Sequence, residues 1–133
     1  GAAPVAGGDY DGMARGAKIA FDDVSTNGED LVVPDDLNRG LFPHAYAAGA
    51  RVYSVSWGDD TPQYESNAME FDQFAYSHPD FLLLVAGGNI GPAPFTIGSP
   101  ATAKNILAVA ASRNSLAALR AYSQLPAAVN LTA

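Results

Sequence analysis

Gly87-Gly88-Asn89-Ile90-Gly91 sets one asparagine among glycines. Residues without side-chain bulk let another backbone come close and leave the amide free to donate. An amide held that way suits the stabilisation of a developing oxyanion; taken bare, the same residues also make an ordinary turn. Ser56-Trp57-Gly58 is the second stretch that stands out by residue type. The two histidines, His44 and His78, point elsewhere, His44 lying in a helical pattern and His78 beside Pro79 at a helix end. A Ser–His–Asp unit needs its base within hydrogen-bond reach of an exposed Ser Oγ, so both are expected to be surface or helix-terminal residues. The acidic pairs Asp22-Asp23, Asp35-Asp36 and Asp59-Asp60 offer oxygen ligands of the kind calcium takes, without EF-hand spacing. Their expected role is that of solvated loop carboxylates, with Asp35-Asp36 as negative charge at a helix N-terminus. The chain has no cysteine, which excludes thiol catalysis, disulfides and cysteine-held zinc.

Those loops need elements to hold them. Ala17-Lys18-Ile19-Ala20-Phe21 reads as a strand entering a polar loop, followed by turn material over residues 25–30. Leu37, Leu41, Ala45 and Ala48 form an apolar stripe at helical spacing, closed by Gly49. Pro43 lies inside it, so the regular helix is expected to begin near Pro43 after an irregular turn. Residues 51–56 are β-branched and aromatic, the composition of a second strand. Residues 65–77 carry Met69, Phe71, Phe74, Ala75 and Tyr76 at roughly helical spacing, with His78-Pro79 as the stop. Phe71, Phe74 and Tyr76, with Tyr46 and Tyr53, are expected in core or half-buried packing rather than around a cofactor. Residues 81–86 are apolar throughout, the pattern of a strand buried between two layers of a parallel sheet. A Gly/Pro-rich loop over 87–99, a short helical turn at 100–105 and a fourth strand at 106–110 complete the pattern, and residues 116–122 are compatible with a further helix. Strands separated by helical segments imply βαβ crossovers. The expected architecture is α/β, three-layer, with an open, mostly parallel sheet flanked by helices, and ligands in such a sheet sit at the carboxyl ends of the strands.

Composition sets the bounds. The chain has 133 residues, about one domain's worth, is 48% hydrophobic and 16% charged, and so can bury a core. Its net charge of −7 and scattered basic residues argue against a nucleic-acid footprint and against a polybasic membrane surface. The longest apolar run, residues 81–88, falls far short of the roughly 20 residues needed to cross a bilayer. No membrane insertion is expected. No internal repeat or linker divides the chain.

Four segments carry a family resemblance. Gly12-Met13-Ala14-Arg15-Gly16-Ala17-Lys18-Ile19 resembles the G-M-A-P-x-A-K-I segment of subtilisin-like serine peptidases, the subtilases. Ser54-Val55-Ser56-Trp57-Gly58 resembles their S-x-S-W-G strand end. Leu84-Val85-Ala86-Gly87-Gly88-Asn89-Ile90-Gly91-Pro92 is similar to V-A-A-G-N-x-G-P, and residues 96–105 to T-I-G-S-P-A-T-A-K-N. They occur in the family's order over residues 12–112, and residues 41–51 point to its large extracellular branch. The resemblance implies that Asn89 is the oxyanion-hole asparagine. It implies that Ser56, Trp57 and Gly58 pair their backbone with an extended substrate, and that Ala86, Gly87 and Gly88 wall the pocket for the substrate residue before the scissile bond. It further implies a peptide or protein substrate and an extracellular address. No cofactor is implied; calcium is the one ion the resemblance allows.

The departures bear on activity. Nothing matches the family's catalytic Asp motif. Val5-Ala6-Gly7 fits the end of the His motif only if the His falls on Gly1, and Ala2-Ala3-Pro4-Val5 fits the tail of the Ser motif only out of order and without its Ser. The last residues precede the normal Ser position, and Ser123-Gln124 lies where the family has a Ser-rich strand. Arg15 replaces the usual Pro, and Gly87 the usual Ala. The expectation is a single partial catalytic domain over residues 1–133, the core of a serine endopeptidase, inactive by itself. The competing expectation is a non-catalytic peptide-binding α/β module or a degenerate pseudoprotease.

Overall fold

The computed structural model of the protein describes residues 12–25, 28 and 30–112. The motif fragments within residues 2–7, the helix at 116–122 and the Ser123-Gln124 pair lie outside the described residues.

Three parallel strands form the sheet: β1 (Val52–Val55), β2 (Leu82–Ala86) and β3 (Leu107–Val109), in that spatial order. Val55 sits opposite Val85 and Ala86 opposite Val109. This register lines up the carboxyl ends of all three strands along one edge. Strand alternation then sorts the side chains. Tyr53 and Val55 share a face with Leu83 and Val85, and Leu83 and Val85 are wholly buried. Val52, Leu82, Leu107 and Val109 are 45–58% exposed. Among the described residues, then, the sheet is covered on the Leu83/Val85 face.

That cover comes from α1 (Leu37–Gly40), α2 (Phe42–Ala47) and α3 (Ser66–Ser77). The expected helix near Pro43 is α2, with Pro43 in the first turn, where a missing N–H costs nothing. The turn before it is itself a short helix, capped by the Asp36 side chain, which accepts from the Arg39 N–H at 3.1 Å. Glu70 Oε2 accepts the Leu37 N–H at 2.9 Å, tying α1 to α3. Phe42 is the centre of the core. It meets Phe71 edge-on at 4.8 Å, Tyr53 edge-on at 5.6 Å and Phe74 at 5.0 Å between centroids, the offsets aromatic pairs prefer.

One expected strand is absent. Residues 17–21 join no sheet among the described residues, with Ile19 87% and Phe21 84% exposed. Extended backbone becomes a strand only with a partner ladder, and among the described residues this segment has none. It runs instead along the far side of a groove of about 760 Å³ beside β1. The Tyr53 hydroxyl crosses to donate to Asp22 Oδ2 at 3.0 Å. Nearby, the antiparallel bridge between Ser25 and Leu31 closes the turn-rich stretch.

Candidate active site

Ser56-Trp57-Gly58 leaves the carboxyl end of β1 and Gly87-Gly88-Asn89 leaves that of β2. The aligned strand ends therefore bring the two loops side by side at the edge where open parallel sheets bind ligands. Trp57 is half-buried and packs edge-on against Phe71 of α3 at 6.0 Å, which anchors its loop to the core.

A third segment closes the site. The Asp59 N–H donates to Ser99 O and the Ser99 N–H to Thr61 O, both at 2.9 Å. This clamp brings residues 98–100 onto the 58–61 loop. It requires glycine at 98, since a Cβ there would collide with the Asp59 carbonyl oxygen. Gly88 is required for another reason: its φ of +100° lies in the left-handed region that glycine tolerates best, and this turn aims the following residue.

The result is a pocket of about 250 Å³. Its walls are Ser56, Trp57 and Gly58 from the first loop and Ala86, Gly88 and Asn89 from the second. Asp59, Asp60, Gly98 and Ser99 complete it. Its size suits one side chain rather than a drug-sized ligand. Gly87 faces the neighbouring cavity, of about 700 Å³, with Gly91, Thr96, Ile97 and Ala110, while its N–H donates to Val109 O at 2.9 Å. Gly88 and Asn89 border both cavities. Asn89 is exposed, and its side-chain amide makes no hydrogen bond with any described residue. It is available to a ligand.

The histidines lie away from this edge. His44 is exposed on α2. His78 caps α3, its Nδ1 3.1 Å from Phe74 O and its ring stacked on Phe74 at 4.0 Å. Among the described residues, neither has a Ser–His–Asp environment. Among the described residues no three His, Cys, Asp or Glu side chains assemble into a group able to hold a metal ion.

Asp72 is a structural residue that residue type alone did not reveal. Nearly buried on α3, its Oδ1 accepts the Lys104 and Asn105 N–H groups at 2.8 and 2.6 Å. Its Oδ2 accepts the Tyr64 hydroxyl at 2.8 Å. The carboxylate thus ties the turn before β3 to the helix. The hydrogen bond to Asp72 holds the Tyr64 phenol above its ordinary pKa.

Comparison with known proteins decides the family. The model for the subtilase family, peptidase family S8, matches residues 2–131. The chain belongs to the subtilase family. Two relatives from Dictyostelium discoideum carry the name serine protease/ABC transporter B family protein, tagD and tagB. The chain is 39% identical to tagD over 111 residues and 36% identical to tagB over 109, in each case over 78% of this chain and 6% of the relative. A third, tagA, is 28% identical over 110 residues. The chain thus spans a small fraction of the length of the curated relatives it matches. No helix among the described residues of this subtilase is long and apolar enough to cross a membrane. The three-stranded parallel sheet with its helices agrees with the α/β fold expected of a subtilase core.

Proposed function

We propose that this chain supplies the substrate-binding and oxyanion-stabilising part of a subtilisin-like serine endopeptidase. The observation that carries this reading is the unengaged Asn89 amide in a pocket wall shared with Ser56-Trp57-Gly58. A peptide substrate lies extended along residues 56–58 and adds a strand to them. The side chain before its scissile bond enters the pocket between that loop and Ala86 and Gly88. The scissile carbonyl then lies beside Asn89. When a serine hydroxyl attacks that carbonyl and a histidine takes its proton, the carbonyl oxygen becomes an anion, and the Asn89 amide donates to it. The hydrogen bond matters more in the tetrahedral state than in the ground state, so it accelerates the chemical step.

In this reading the attacking serine and its base come from outside residues 1–133, so the isolated chain binds peptide but does not hydrolyse it. An extracellular address, implied by the family likeness, belongs to the same proposal. Two measurements on the purified chain test it. A fluorophosphonate probe is expected to leave the chain unlabelled. A neutral extended peptide is expected to shift the backbone amide resonances of residues 56–58 and 86–89 and the Asn89 side-chain amide. Covalent labelling contradicts the inactivity; peptide-induced shifts confined to other residues contradict the site.

A further inference from the structure

Among the described residues one acidic side chain is buried, that of Asp72, at 8% exposure. Peptide binding and oxyanion stabilisation make no use of it. A charge so placed persists only where hydrogen-bond donors offset its lost hydration. Its donors come from two segments far apart in the chain: the Lys104 and Asn105 N–H groups at Oδ1, and the Tyr64 hydroxyl at Oδ2. The Asn105 side-chain amide adds a longer bond, 3.4 Å, to the Asp72 carbonyl oxygen. Phe71 and Phe74 of the same helix belong to the core cluster, so the carboxylate hangs from a fixed element.

These bonds hold the entry to β3, a strand with little else to set its register. Burial of one face specifies register strongly, because a slip carries apolar side chains out of the core. All three β3 residues are exposed among the described residues, Leu107 at 52% and Val109 at 50%. Ile106, just before the strand, packs partly against the core, but apolar contact is non-directional, whereas the two N–H bonds to Asp72 are directional. At the far end of β3, Val109 lies opposite Ala86, and its carbonyl oxygen accepts the Gly87 N–H at 2.9 Å. Gly87 opens the loop that carries Asn89. A slip of one residue, roughly 3.3 Å along the strand, takes that oxygen out of reach and releases the loop. We propose that Asp72 is a positioning residue for Asn89: its carboxylate fixes the register of β3, and β3 holds the loop that presents the Asn89 amide. The inference rests on the oxyanion role of Asn89 proposed above and adds what keeps the amide in place.

Two measurements test it. In the purified chain, hydrogen exchange is compared at the Gly87 amide and at the Leu82 amide, which donates to Arg51 O where β1 and β2 begin. Asp72→Asn is expected to speed exchange at Gly87 by about tenfold more than at Leu82, the order of one hydrogen bond to a charged group. A merely structural role loosens the whole fold and speeds both amides alike, so equal acceleration, or none at Gly87, overturns the proposal. Tyr64→Phe leaves both N–H bonds in place and gives a milder form of the same test, with about threefold expected; it serves if Asp72→Asn does not fold. The second measurement is kinetic, with the Ser–His–Asp triad supplied by a longer polypeptide that contains this chain. There Asp72→Asn is expected to lower kcat by about tenfold with KM within about twofold. In an Asn89→Ala background the same substitution is expected to change kcat by less than about twofold, because nothing is left for it to position. A tenfold loss in both backgrounds overturns the positioning role while leaving the oxyanion role standing. If Asn89→Ala itself leaves kcat unchanged, the oxyanion reading fails and this proposal fails with it.

Discussion

At the scale of single residues, the clearest consequence outside the site comes from Tyr53. Its hydroxyl is bonded to Asp22 and its ring lies against Phe42. Burial first, then the hydrogen bond to Asp22 and the nearby negative charge, push the phenol well above its ordinary pKa of 10.0. Tyr46, bonded to Asp80, and Tyr64, bonded to Asp72, move in the same direction. A group whose folded pKa is raised binds its proton more tightly when folded. Its contribution to stability is therefore complete below the unfolded pKa and declines as pH rises towards the folded one. Denaturation midpoints are expected to hold steady from pH 7 to pH 9 and to fall above about pH 10. Tyr53→Phe has no phenol to ionise and is expected to flatten that alkaline decline; identical slopes in both proteins would contradict the assignment. Asp80 moves the opposite way. Burial opposes its ionisation, but the Tyr46 hydroxyl and the Arg51 guanidinium at 2.9 Å outweigh that and hold its pKa below the usual range. Its contribution therefore disappears only in acid.

At the scale of elements, β2 separates an inner from an outer row. Leu83 is fully buried in the core cluster that holds Phe42 and Phe71, whereas its neighbour Leu82 is 45% exposed. Leu83→Ala removes core contacts and is expected to cost about 2–5 kcal/mol, whereas Leu82→Ser is expected to cost no more than about 1 kcal/mol. Urea midpoints of the two variants check this, and equal losses would contradict the one-sided cover. The continuous apolarity of residues 81–86 correctly announced a strand, and the aromatic spacing of 65–77 a helix, because both signals are local. Full burial of β2 on two faces was the expectation, and among the described residues one face is covered. Residues 17–21 have strand-like composition, but pairing depends on which edge lies beside them, and no local pattern records that. The candidate site divides the same way. Asn89, Ser56, Trp57 and Gly58 stood out by amide, glycine and loop position, and the structure places all four around one pocket. Asp59, Asp60 and Ser99 were not legible as pocket residues. They meet only because residues 98–100 fold back onto 58–61 across nearly forty positions of chain, which no spacing rule anticipates.

At the scale of the whole molecule, the described residues form a subtilase α/β fold whose three strand ends lie along one edge. The sheet register and the Gly98 close approach hold the loops at that edge, while Asp72 fixes the turn that enters β3. The account stands or falls on what Asn89 does there. In a polypeptide that joins this chain to an intact Ser–His–Asp triad, Asn89→Ala is the most direct test. Steady-state kinetics are expected to show kcat falling by about 100- to 1,000-fold, equivalent to about 3–4 kcal/mol, with KM nearly unchanged; the magnitude is taken from subtilisin's own oxyanion asparagine. A kcat within about twofold of the parent, or a loss confined to KM, would contradict the account.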